Sequence, residues 1–107
     1  MPMFAVTLES GPNWDYSRPR REQDAWDAHA SFMDALVDDG FLVLGGPIGD
    51  VNGRYTMHAI EAADEDEIRR RFAEDPWAPM GLLQVGKIEP WTIWLDGRHV
   101  GASARPS

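Results

Sequence analysis

The chain contains no cysteine, which excludes a disulfide framework and any thiolate metal site and is compatible with a reducing compartment. Basic residues are few: 10 Lys and Arg stand against 18 Asp and Glu, for a formal net charge of -8. That balance argues against nucleic acid as a partner, because phosphate-backbone binding draws on clustered cations. No apolar run is long enough to span a membrane, and the opening MPMFAVTLES lacks the basic segment of a secretory signal. A soluble, cytoplasmic protein with no membrane partner is expected. His29, His58 and His99 show neither HxH nor HExxH spacing, and no acidic cluster is placed to complete a set of ligands, so no metal is expected. A GxSxG nucleophile elbow is absent, and GGPIGD lacks the spacing of a phosphate-binding or dinucleotide loop.

What is present fits one globular domain: 107 residues, 43% hydrophobic and 26% charged. Residues 1–98 are expected to form that domain and 99–107, polar and rich in small residues, a flexible C-terminal tail. Met3 to Leu8 reads as a strand bounded by ESGPN. The segment Ser10 to Arg21 is long for a connection and carries Trp14, Tyr16, Arg18, Arg20 and Arg21, either a binding loop or a solvated link with one aromatic tucked down. A helix follows from Glu22 to Asp39, closed by Gly40 in a position that suits left-handed backbone. The apolar run FLVLGGP predicts a strand buried on both faces and then a glycine turn. DVNG turns the chain into Arg54 to Glu61, in which Tyr55, Met57 and Ala59 alternate with Thr56, His58 and Ile60. Asp64 with Glu67 predicts a capping box for a second helix, whose acids lead and whose arginines trail in accord with the helix dipole. A last strand region spans Leu83 to Leu95, with a bulge or an edge position near Glu89 and Pro90. Strand, helix, strand, strand, helix, strand is the α+β, ferredoxin-like order: a four-stranded antiparallel sheet with two helices on one face. The other face is left open, and Tyr55, Met57, Trp91, Ile93 and Trp94 predict that a second copy of the chain covers it.

The chemistry is concentrated in two polar residues that break an apolar pattern. On a helical wheel, at roughly 100° per residue, Ala25, Trp26, Phe32, Met33 and Leu36 fall within about 60° of His29, while Asp24, Asp27, Asp34 and Asp38 lie on the far side. An imidazole at the centre of such a stripe needs a hydrogen-bond partner. Asp75 is the candidate: it continues the Ile68 and Phe72 stripe of the second helix, and Pro76 holds it out of helical geometry. A carboxylate on one imidazole nitrogen fixes the tautomer and raises the basicity of the other, which makes His29 a general acid/base and Asp75 its orienting group. The same pair is also compatible with a purely structural buried hydrogen bond. The backbone N–H groups of Gly45 and Gly46, ahead of Pro47, can approach a ligand, or the Gly-Gly-Pro segment simply makes a turn. Trp26 lies beside His29 on the stripe, and Trp77 is either an aromatic wall of a pocket or a core anchor.

Three separated pieces, WDAHASFMDALVDDGFLVLGGP, AEDPW and KIEPWTIW, together resemble the YCII-related family of small bacterial proteins. The resemblance implies a dimeric α/β barrel of ferredoxin-like protomers, with an active site that pairs the helix histidine, His29, with the aspartate of Asp-Pro-aromatic, Asp75. Some resembling proteins eliminate halide from chlorinated, hydroxylated aromatic rings. For this chain that implies a lyase or isomerase acting on a small cyclic substrate, with no cofactor required; a non-catalytic homodimer that binds a small molecule is the alternative.

Overall fold

A computed structural model describes residues 1–51 and 55–99. Residues 52–54 of the turn after Asp50, the expected strand start at Arg54 and most of the expected tail lie outside that range. Four strands, β1 (Met3–Ser10), β2 (Leu42–Pro47), β3 (Tyr55–Glu61) and β4 (Leu83–Pro90), and two helices, α1 (Trp26–Asp38) and α2 (Glu65–Phe72), follow one another in the ferredoxin-like order. The sheet is antiparallel with strand order β2-β3-β1-β4. Period-two alternation decides its faces: Phe4, Val6 and Leu8 of β1 and Thr56, His58 and Ile60 of β3 are buried on the helix side. With them Leu36, Phe41, Ile68, Phe72 and Trp77 close the core, and Trp14, Trp26, Phe32 and Met33 pack against its margin.

Local chemistry sets most of the boundaries. Asp64 accepts from the Glu67 N–H at 2.8 Å while Glu67 returns to the Ala63 N–H at 2.7 Å, so the expected capping box opens α2. Gly40, at φ +83°, follows the last turn of α1. The start of α1 is later than its apolar spacing predicts. Gln23 is withdrawn from the helix and buried, its amide donating to the Asp15 and Arg18 carbonyls at 2.7 and 2.9 Å and accepting from the Asp15 N–H at 3.1 Å. That closes the 11–23 loop on itself, leaves a 3-10 turn at Arg20–Glu22, and puts Ala25, at φ 59°, exposed ahead of the helix rather than in its buried stripe.

Three strand expectations are corrected. β2 is an edge strand covered on one face only, so Leu44 remains 55% exposed where burial on both faces was anticipated. Gly45, Gly46 and Pro47 belong to that strand, paired with His58, Met57 and Thr56, and the turn begins beyond them with Gly49 at φ +78°. The irregularity of β4 falls between its pairings with Val6 and Leu8. There the Lys87 N–H donates to Thr7 Oγ1 at 2.7 Å, and a β-carbon at Gly86 would overlap the Thr7 and Glu9 side chains. Pro90 closes β4, an edge strand, opposite Phe4, and the ladder ends there rather than at Leu95. The open face carries Thr7, Glu9, Lys87 and Glu89 around Tyr55 and Met57, with Trp91 and Ile93 at one end. It is more polar at its centre than the apolar residues counted along the sequence suggest. No helix among the described residues is long and apolar enough to cross a membrane.

Candidate active site

α1 carries His29 on its second turn, directed at the sheet. Past the end of α2 the chain turns sharply: the Asp75 N–H reaches the Phe72 carbonyl at 3.1 Å, and Asp75 Oδ1 accepts from the Trp77 N–H at 2.9 Å across Pro76. This Asx turn aims the second carboxylate oxygen inward. The His29 Nδ1–H donates to Asp75 Oδ2 at 2.7 Å, with the two residues only 5% and 2% exposed. The two polar misfits of separate helical stripes thus meet, 46 residues apart in sequence. A carboxylate can only accept, so the Nδ1 proton is assigned by its partner and the lone pair is left on Nε2. Nε2 has no hydrogen-bond partner among the described residues.

Trp77, fully buried, lies face to face with the imidazole: centroids are 3.8 Å apart and the planes differ by 5°. Its Nε1–H is anchored on the Asp24 carbonyl at 2.6 Å. Trp26 leans on both rings, at 5.7 Å from His29 and 5.8 Å from Trp77, and Trp14 meets Trp77 edge-on at 5.5 Å. The long loop, whose role was open from the sequence, therefore contributes Trp14 to the wall around Trp77. The same loop sets Arg20 over Trp14 at 5.1 Å and Arg21 over Trp26 at 5.7 Å.

The sheet supplies a residue that was not assigned from sequence. His58 is 5% exposed, on the helix side of β3, and its Nδ1 is the one buried side-chain nitrogen or oxygen among the described residues with no hydrogen-bond partner. Burial pushes its imidazole down to about 4, Arg20 and His29 push in the same direction, and a hydrogen bond to the Val6 backbone opposes them. The signal was present in the sequence: His58 alternates with Thr56 and Ile60, as out of place among its neighbours as His29 is on α1. Gly45 faces this ring, and a β-carbon there would fall 2.9 Å from His58 Cγ and closer still to Cδ2. Gly46, paired with Met57, lies on the outer face, and Pro47 ends the strand opposite Thr56. The structure thus gathers His29, Asp75, Trp26 and Trp77 into one cluster and brings Gly45 to its margin through His58. Gly46 and Pro47 are not part of that contact set.

A cavity of about 230 Å³ adjoins the carboxylate, lined by Leu8, Phe72, Ala73, Asp75, Leu83 and Val85 among others. It touches the pair through Asp75 and not through the imidazole. Among the described residues no group of three or more His, Cys, Asp or Glu side chains is arranged to hold a metal ion.

Comparison with known proteins bears on the family and the fold. The family model of the YCII-related domain matches residues 3–92, and the chain belongs to that family. No curated protein matches. Among solved structures the fold is similar to 5-chloro-2-hydroxyhydroquinone dehydrochlorinase (TftG) from Burkholderia phenoliruptrix AC1100, in complex with 2,5-dihydroxybenzoquinone, with a TM-score of 0.58 and 20% identity over 84% of this chain and 93% of that one.

Proposed function

We propose that this YCII-related protein is a cofactor-independent lyase or isomerase in which His29 transfers the proton and Asp75 orients it. One observation carries the reading: a buried carboxylate holds Nδ1 of an imidazole at 2.7 Å, leaving Nε2 as the base. Trp26 and Trp77 pack on the imidazole and fix its plane, and Gly45 lies against His58 on the same side of the sheet. The edge of β2 brings the backbone of Gly45 to the margin of the cluster, where an N–H would serve an oxygen that gains charge during the reaction. Net loss of HX from a halogenated, hydroxylated ring needs only such a group. One hydroxyl proton is first moved to the halogen-bearing carbon, giving a keto tautomer; a second hydroxyl then gives its proton to the base as the quinone forms and halide departs, so HX is lost with no external oxidant or reductant. The fold shared with a dehydrochlorinase supports that class.

A second copy of the chain is proposed to close the open sheet face. Tyr55, Trp91, Ile93 and Trp94 stand exposed there and just beyond it, Trp94 by 88%, and an isologous contact would bury them in a dimeric barrel. One observation favours a second reading, a non-catalytic homodimer that binds a small ring compound: the imidazole is covered by a parallel indole and is only 5% exposed, a geometry that also suits passive stacking. Chloride release from 5-chloro-2-hydroxyhydroquinone and related halogenated hydroquinones, by wild type and by His29→Gln, separates the two. Elimination by wild type that falls by about a hundredfold or more in the variant supports acid–base catalysis. Binding without turnover, or turnover unchanged in the variant, overturns it.

A further inference from the structure

We propose that the cavity between α2 and β4 is a binding site for a small neutral ring compound bearing a hydroxyl, which donates a hydrogen bond to the Asp75 carboxylate. His29 does not line this cavity, and the site does not depend on turnover at the imidazole. Its size suits such a molecule: the space is about 230 Å³, and an apolar cavity of about 150 Å³ already admits benzene. Leu8, Phe72, Leu83 and Val85 supply apolar walls. Leu8, Phe72 and Leu83 are buried, and Phe72 is held by Phe32 and Phe41 at ring-centroid distances of 6.5 and 6.0 Å, so most of the wall is formed in advance. The small side chains of Ala73 and Ala78 leave the space open where α2 ends.

One buried polar side chain meets that space. Asp75, only 2% exposed, lines the cavity while its Oδ2 accepts from the His29 Nδ1–H at 2.7 Å and its Oδ1 from the Trp77 N–H at 2.9 Å. A carboxylate has about four acceptor positions, so it can take a further bond, and only from a donor. The neighbouring backbone does not compete for it. The Ala73, Asp75 and Ala78 N–H groups donate to the Arg69, Phe72 and Asp75 carbonyls at 3.1, 3.1 and 2.9 Å. Charge then selects the donor. An anion would be repelled by Asp75, whereas an ammonium would give up its hydration for apolar walls and meet Arg69, which lines the same cavity and pairs with Glu65 at 3.3 Å. A neutral hydroxyl on an apolar ring avoids both costs. Its proton would share the carboxylate with the His29 Nδ1–H, so occupation is felt at an imidazole that the ligand does not touch.

Phenol, which is neutral at pH 7, tests this by NMR titration, with toluene as the counterpart lacking the donor and benzylamine as the cationic one. Saturable phenol shifts, nuclear Overhauser contacts from its ring protons to the Leu8, Leu83 and Val85 methyls, and an upfield shift of the His29 Nδ1–H resonance are expected. Toluene and benzylamine should bind more weakly by about tenfold or more. Ala73→Leu and Ala78→Leu each put a branched side chain beside the cavity, with circular dichroism confirming the fold, and loss of phenol binding in either supports the site. Equal affinity for phenol and toluene, benzylamine binding as tight as phenol, contacts confined to other residues, an unmoved His29 Nδ1–H resonance, or undiminished phenol binding in both leucine variants would each overturn it. This site and the catalytic reading fail separately. Halide elimination without phenol contacts at Leu8, Leu83 and Val85 removes the site alone, and those contacts without turnover remove the catalytic reading alone.

Discussion

The imidazole of His29 and the indole of Trp77 lie parallel, 3.8 Å between centroids, while the indole N–H is fixed to the Asp24 carbonyl at 2.6 Å. The start of α1 and the Asp-Pro-Trp turn are thus joined at two points, once through the His29–Asp75 hydrogen bond and once through Trp77. Trp77→Phe keeps an aromatic face against His29 but removes the Nε1–H bond, and a cost of about 1 kcal/mol is expected. Trp77→Ala removes the stack as well and should cost about 3–5 kcal/mol. Urea unfolding checks both values; equal losses in the two variants would mean that the ring stack contributes nothing to the join.

Gly45 and His58 are coupled by sterics. A β-carbon at Gly45 overlaps the His58 ring, so Gly45→Ala should destabilise by about 1–3 kcal/mol, as overpacking does. His58→Ala vacates the space, and in that background the added methyl should cost less than about 0.5 kcal/mol. A double-mutant cycle measures the difference, and additive losses would show that the two residues do not press on one another.

How much of this could be read from the sequence depends on whether the signal was local. His29 and Asp75 were legible because each breaks an apolar helical stripe, and a misfit of that kind asks for a partner. The capping box at Asp64 and Glu67 and the left-handed Gly40 were legible because their chemistry lies within a few residues. The start of α1 was not, since Gln23 leaves the helix to satisfy the carbonyls of Asp15 and Arg18, a bond pattern with no periodic signature. The apolar run of β2 suggested burial on both faces, and only the strand order shows that it lies at an edge with Leu44 uncovered. His58 alternated visibly with Ile60, but that its Nδ1 is buried without a partner depends on the elements packed over β3, which are distant in sequence.

His58 also gives the protein a specific acid sensitivity. Burial, aided by Arg20 and His29, pushes its imidazole down to about 4 from an ordinary 6.5. Between those values the unfolded chain binds the proton and the folded one does not. The stability is therefore fully present above pH 6.5, falls as pH drops toward 4, and is lost below it, to a total of about 3 kcal/mol. Comparing urea unfolding at pH 7 and pH 4.5, wild type should lose about 2–3 kcal/mol more than His58→Gln. Equal acid sensitivity in the two proteins would contradict the assignment.

The claim on which the proposed chemistry depends is that Asp75 sets the tautomer of His29. Imidazole nitrogen-15 shifts of His29, recorded with the ring neutral and no ligand present, measure this directly. A protonated Nδ1 and an unprotonated, pyridine-type Nε2 are expected in wild type, with the balance shifting toward the Nε2–H form in Asp75→Ala. A wild-type ring protonated on Nε2, or a tautomer that does not change when Asp75 is removed, would contradict it.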